Sequence, residues 1–225
     1  MSHETVHLRP HAPVAERVLL PGDPGRALRL AQLLLDTPKM LNHHRGLWGY
    51  TGTAADGMPL TIQSTGMGGP SAAIVAEELI GLGARRLVRA GTCAALVEGP
   101  APGSLVIAES VLARDGASRA LGAEGSLAAD PGLLAALRAA GNGALAGAVV
   151  SADLLEGERW AGSGAVALDL STAALFAVAA RRGVAAGCVL VVTDEGMEPE
   201  ALEHAEVELG RVAAAALGRT STAAG

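Results

Sequence analysis

The sequence predicts an α/β fold, a single three-layer domain over residues 1–225 with a central mixed β-sheet flanked by helices. Three observations carry that expectation. Short aliphatic, β-rich runs alternate with Ala/Leu-rich segments of helical length. The chain has 225 residues, a size at which one large α/β domain is common. Half of the residues are apolar and the mean hydropathy is positive, enough for a sizeable core. No internal repeat or linker divides the chain.

The elements follow in order. Arg17 to Leu20 reads as a strand, and Pro24 to Leu35 as a helix for which Asp23 is a candidate N-cap. Trp48 to Ala54 and Pro59 to Ser64 read as a hairpin around Ala55-Asp56-Gly57-Met58. A helix is expected from Pro70 to Leu82 and a buried strand from Arg86 to Arg89. Ser104 to Glu109 and Ala146 to Ser151 read as strands, separated by an irregular region and a helix from Pro131 to Ala140. Ala165 to Leu170 leads into a helix from Ser171 to Arg182; a strand (Gly187 to Thr193) and a last helix (Pro199 to Leu217) follow. The tail from Arg219 reads as loose.

Composition narrows the function. Net charge is −6 and no basic run occurs, which argues against a nucleic-acid partner. Aromatics are only 2% of the chain, so a ligand ring would find few stacking partners. Cys93 and Cys188 lie far apart with no CxxC spacing and read as buried thiols in a reducing compartment. The polar start Met1 to His7 has no apolar signal core, and no segment approaches 18 uninterrupted apolar residues. The expectation is a soluble, cytoplasmic protein without a membrane partner. His3, His7 and His11 have i, i+4 spacing, but Pro10 and Pro13 break any helix there, so no metal site is expected. A GxxxxGK[ST] phosphate loop is absent.

The most informative stretch is Ser64-Thr65-Gly66-Met67-Gly68-Gly69-Pro70-Ser71, which follows a strand and opens into a helix. Glycine lets the backbone approach a ligand, Pro70 suits a first helical position, and the free N–H groups of a helix start attract anions. Of two more glycine-rich segments, Pro21-Gly22-Asp23-Pro24-Gly25-Arg26 follows the first strand as a turn and Val88-Arg89-Ala90-Gly91-Thr92-Cys93 ends another strand in one. Ligands in α/β sheets sit beyond the carboxyl ends of strands. Arg26, Arg89 and Arg45 (in Asn42 to Gly46) together suggest one oxyanion site, and guanidinium geometry favours phosphate. An arginine inside an apolar strand, as at Arg89, is costly unless paired.

Pro21-Gly22-Asp23-Pro24, Ser64 to Leu79, Arg89 to Cys93 and Ser151-Ala152-Asp153-Leu154 resemble, in order, the nucleoside phosphorylases of the hexameric purine and uridine type. The resemblance runs from about His7 to about Asp194 and is strongest to bacterial purine nucleoside phosphorylases. It implies phosphorolysis of a nucleoside, with a purine nucleoside first and uridine second, and inorganic phosphate as co-substrate without a further cofactor. It implies phosphate held by Gly22, Arg26, Arg89 and Thr92, with Arg45 and His7 donated by a neighbouring subunit of a homohexamer built as a trimer of dimers. Met67, Leu155, Leu168, Asp169, Leu170, Ser171 and Thr193 are the implied nucleoside contacts, and Asp194 the acid that protonates the leaving base. One departure stands out. The family's Glu-Met-Glu ribose motif is Asp169-Leu170-Ser171 here, so the second carboxylate is missing. Asp169 and Glu156 are the candidates to replace it. The alternative is a diverged member that binds phosphate or a phosphosugar with weak or no catalysis.

Overall fold

The computed structural model describes residues 5–193 and 196–218. The expected tail from Arg219, and the candidate acid Asp194, lie outside them. Among the described residues, ten strands and six α-helices follow in chain order: β1 (Arg17–Pro21), α1 (Pro24–Leu34), β2 (Leu35–Asn42), β3 (Gly49–Ala54), β4 (Pro59–Gln63), α2 (Gly68–Gly81), β5 (Arg86–Ala95) and β6 (Leu105–Arg114). Then come α3 (Gly116–Ala120), β7 (Ser126–Ala128), α4 (Pro131–Ala140), β8 (Leu145–Ala152), β9 (Ala167–Asp169), α5 (Thr172–Arg182), β10 (Ala185–Val192) and α6 (Pro199–Gly218).

All strands belong to one mixed sheet ordered β10-β6-β8-β9-β5-β1-β4-β3-β2, with β7 paired to β6 and β10 also paired to β5. That extra pairing closes β5, β10, β6, β8 and β9 into a ring. The strands β4, β1, β5 and β10 run parallel, so their carboxyl ends meet at one edge of the sheet.

Both faces of the sheet are covered, as parallel strands require. Residues alternate between them: in β10, Cys188 and Leu190 join the core beneath α2 and α5, whereas Val189 and Val191 join the core beneath α1, α4 and α6. Val18 and Leu20 in β1 face the first core and Leu19 the second. This period of two is the pleat expressed as packing.

Several expectations are corrected. The segment Ala90 to Cys93 is strand, not turn, because β10 pairs β5 residue by residue from Arg86 to Cys93. β6 runs five residues past Glu109 to Arg114, paired to β8 across a register shift after Ala108. β2 lies where no strand was expected. It carries Pro38 and an exposed centre, which an irregular edge strand tolerates. The irregular region contains α3 and β7. α2 starts two residues early, at Gly68, which places Pro70 third, still among the N–H groups that lack helical acceptors.

Candidate active site

Along β5, the pairing with β1 stops at Ala90 and the pairing with β9 starts at Ala94. Between them Gly91, Thr92 and Cys93 have, among the described residues, a ladder partner only in β10. A cavity of about 760 Å³ opens at this gap, lined there by Gly91, Thr92, Cys93 and Ala94. The loops after β1 and β4 form its next wall and are laced together: Thr65 N–H donates to the Pro21 carbonyl (2.8 Å) and Gly66 N–H to that of Gly22 (3.0 Å). Gly66 holds φ +72°, and a Cβ there would lie 2.6 Å from Ser71 Oγ, whose hydroxyl donates to the Thr65 carbonyl. Only glycine meets both demands.

Two arginines reach this cavity from the core. Arg26 follows the Asp23 cap, whose carboxylate accepts from the Arg26 N–H at 2.6 Å. Its guanidinium is buried and paired with Glu206 of α6, Nε and Nη2 each 2.7 Å from Oε1. The other Glu206 oxygen accepts from Arg29. Burial works to lower the Arg29 pKa, but the hydrogen bond and charge of Glu206 outweigh it, and the net shift is upward.

Arg89 points from the middle of β5 and donates through Nε to Asp169 at 3.0 Å. Asp169 is 1% exposed and also accepts from the Ser151 hydroxyl, the Ser171 and Thr172 amides and the Thr172 hydroxyl (2.7 Å). Its acceptor capacity is spent inside the protein. The expectation that Asp169 could take over the ribose hydroxyls is therefore corrected: it anchors Arg89 and the start of α5. Glu156 is exposed, stands 3.8 Å from Arg159 and does not line the cavity. Gly91 makes room for the anchored arginine, since a Cβ there would sit 2.7 Å from Arg89 Cζ. Arg89 Nη1 is buried without a hydrogen-bond partner among the described residues, close to Gly22. A buried donor left unpaired is costly, and it is a place for an anionic oxygen.

Gly22, Arg26, Met67, Arg89, Thr92, Leu155, Asp169, Leu170, Ser171 and Thr193 all line this cavity. Three expected residues do not. Leu168 is fully buried beneath it with Val150 and Ala152, because alternation in β9 turns it away from Asp169's face. Arg45 sits exposed on the short 3-10 turn His44–Gly46 with φ 60°. His7 is drawn to α2, where the Glu78 carboxylate accepts from the amides of Val6 (3.1 Å), His7 (2.9 Å) and Leu8 (2.7 Å) and contacts the imidazole Nδ1 at 2.8 Å. Burial alone would raise the Glu78 pKa, but these bonds overcome it and hold it below its ordinary value.

Burial, then the negative charge of Asp169, push up both thiols, Cys188 to about 12 and Cys93 further. The cavity wall at Cys93 is a neutral thiol, not a nucleophile. Among the described residues no group of three or more His, Cys, Asp or Glu could hold a metal ion.

Sequence reasoning missed Glu206. The signal was its position: it lies four residues after Leu202 and three before Leu209, on the buried stripe of α6. A carboxylate on such a stripe calls for a cationic partner.

A family model described as the phosphorylase superfamily matches residues 16–222. The DeoD-type purine nucleoside phosphorylase of Clostridium beijerinckii is 34% identical over 220 residues, covering 91% of this chain and 92% of that protein. That of Geobacillus kaustophilus is 37% identical over 193 residues, covering 80% and 81%. A crystal structure of uridine phosphorylase from Vibrio fischeri ES114 superposes with a TM-score of 0.83 at 26% identity, covering 91% of this chain and 92% of that one. A second, complexed with 6-hydroxy-1-naphthoic acid, gives 0.80 at 27% identity, covering 91% and 90%.

Proposed function

Because the chain belongs to the phosphorylase superfamily, we propose that it cleaves a purine nucleoside with inorganic phosphate, giving the free base and a pentose 1-phosphate. The observation that carries this is Arg89: anchored through Nε by a saturated carboxylate, it keeps a buried, unpartnered Nη1 at a cavity that a second buried arginine also lines.

Phosphate fits against Arg26, Arg89, the Gly22 amide and Thr92. Thr92, a hydroxyl on the open side of β5, adds a neutral donor. The nucleoside lies between Met67, Leu155, Leu170, Ser171 and Thr193. As the glycosidic bond lengthens, positive charge develops at C1′, and the adjacent phosphate dianion stabilises it before its oxygen forms the new bond. The bonding pair departs with the base, and a proton from Asp194 prevents that pair from accumulating as charge. Water can react in the same way, but a hydrolase has no use for two buried arginines turned to an oxyanion.

Arg45 and His7, exposed or half-buried outside the cavity, complete this reading as residues given to a neighbouring protomer of a homohexamer. Support comes from the apolar Val6, Met67 and Ile74, 70%, 84% and 40% exposed on the N-terminal segment, at the cap of α2 and on α2. A cytoplasmic role in nucleoside salvage accords with this chemistry, and no helix among the described residues is long and apolar enough to cross a membrane. Uridine is the second reading, favoured by the uridine phosphorylase superpositions.

The test is turnover of inosine, guanosine, adenosine, uridine and thymidine with and without phosphate. Phosphate-dependent release of a purine base is expected, with Asp194→Asn lowering kcat by about 100-fold or more. Turnover indifferent to phosphate overturns the proposal, and a preference for uridine selects the second reading. No turnover on any nucleoside leaves the chain a phosphate-binding relative. Sedimentation addresses assembly: a fully active monomer contradicts the shared site.

A further inference from the structure

We infer that Glu206 is a positioning residue for the phosphate half of the cavity, fixing the edge of Arg26 that meets the anion. This rests on the reading of that half as a phosphate site. The Glu206 carboxylate is 3% exposed and comes from α6, far along the chain from α1. One of its oxygens takes Nε and Nη2 of Arg26 together at 2.7 Å, and its other oxygen takes Arg29. The guanidinium is thereby held along one edge. Its Nη1 end has only a long 3.5 Å contact with the Ala90 carbonyl among the described residues, and this end remains to donate into the cavity.

Charge adds to geometry. Arg26 and Arg29 are one helical turn apart on α1, and Asp23, the nearest carboxylate in sequence, is occupied with capping that helix. Glu206 supplies the buried negative charge that lets two arginines sit side by side. An arginine free to rotate would have to be ordered by the phosphate itself, at a cost in affinity; one ordered in advance would not. A structural ion pair would stabilise the fold without favouring either substrate. A positioning residue acts on phosphate alone.

Glu206→Gln keeps the shape and one carbonyl acceptor while removing the charge. The expected result is a phosphate KM raised by about tenfold, with the nucleoside KM changed by less than about twofold. The rise in melting temperature that inorganic phosphate gives the wild type without nucleoside should shrink in parallel. Leu209→Ala, in the buried hydrophobic core on the same helix, is the control for destabilisation. It should lower the melting temperature and leave the phosphate KM within about twofold. Should Glu206→Gln fail to fold, Glu206→Asp, with the charge kept and the reach shortened, carries the same test. An unchanged phosphate KM overturns the inference, as does an equal rise in both KM values. If the wild type itself shows neither phosphate-dependent turnover nor a phosphate-induced melting shift, the phosphate reading fails first and takes this inference with it.

Discussion

The two halves of the cavity are built by opposite means. On one side Arg26 and Arg89 are 7% and 6% exposed, each held by a buried carboxylate. On the other, Met67 and Leu155 stand 84% and 62% exposed, and the neighbouring Gly157–Trp160 turn packs few of its own side chains. A cation can be fixed in advance by an opposite charge in the core, because attraction in a low dielectric holds it in one geometry. An apolar side chain has no comparable partner and gains its burial only when a ligand or a neighbouring subunit covers it. The half that the proposed function gives to phosphate is therefore preorganised, and the half it gives to the nucleoside is left to be completed.

The sharpest way to break this contrast is Arg89→Met. It leaves Asp169 buried without its cationic partner, so a stability loss of about 3–5 kcal/mol is expected in urea unfolding. Phosphate-dependent turnover should fall by a factor on the order of 10²–10³. A stable, active variant would mean that Asp169 is satisfied by its hydroxyl and amide donors alone.

Gly91→Ala tests the same half more gently. The added Cβ meets Arg89 Cζ at 2.7 Å and Leu190 at 3.0 Å, backed by a paired strand that cannot retreat. A loss of about 1–3 kcal/mol is expected, with a raised phosphate KM as Arg89 is displaced. Equal effects on both substrates would show that the two halves are mechanically one.

Glu78 extends the contrast to the N-terminal segment, which is also anchored by a carboxylate. Its folded pKa is lowered from the ordinary 4.5, so the anchoring is present above that pH and is lost as pH falls through the lowered folded value. Each bond contributes on the order of 1 kcal/mol. Hydrogen-exchange protection of the His7 and Leu8 amides should collapse in acid while protection in β5 persists, and Glu78→Gln should weaken it at neutral pH.

The smallest effect belongs to the other half. Leu155→Ala should change stability by less than about 0.5 kcal/mol, because the side chain is already in water. Its nucleoside KM should rise several-fold while the phosphate KM holds. A large stability loss would show that Leu155 is packed in the assembled protein, and so that the half is not open.

Much of this was legible in the chain. Alternating β-rich and Ala/Leu-rich runs imply helix–sheet–helix layering, because each element must bury one face. The run from Ser64 to Leu79 marks a cavity-facing helix start, since glycines and a proline there serve no helix interior. What was not legible depended on partners distant in sequence. Glycine and threonine at 91 and 92 signal a turn locally, yet they are strand because β10 supplies a ladder. β2 carries no strand signal because only its two ends are buried. Ser171 looks like a lost carboxylate, whereas Asp169 proves to be spent on five other donor groups, including Arg89. Glu206 is one glutamate among several on α6 until the fold brings it to Arg26 and Arg29. Periodicity and turn chemistry act over a few residues, so the sequence by itself determined the layers and marked the glycine-rich segments that line the cavity. Charge pairing and strand closure act across the whole chain, so only the tertiary structure decided which arginines are held, by which carboxylates, and which side of the cavity is left open.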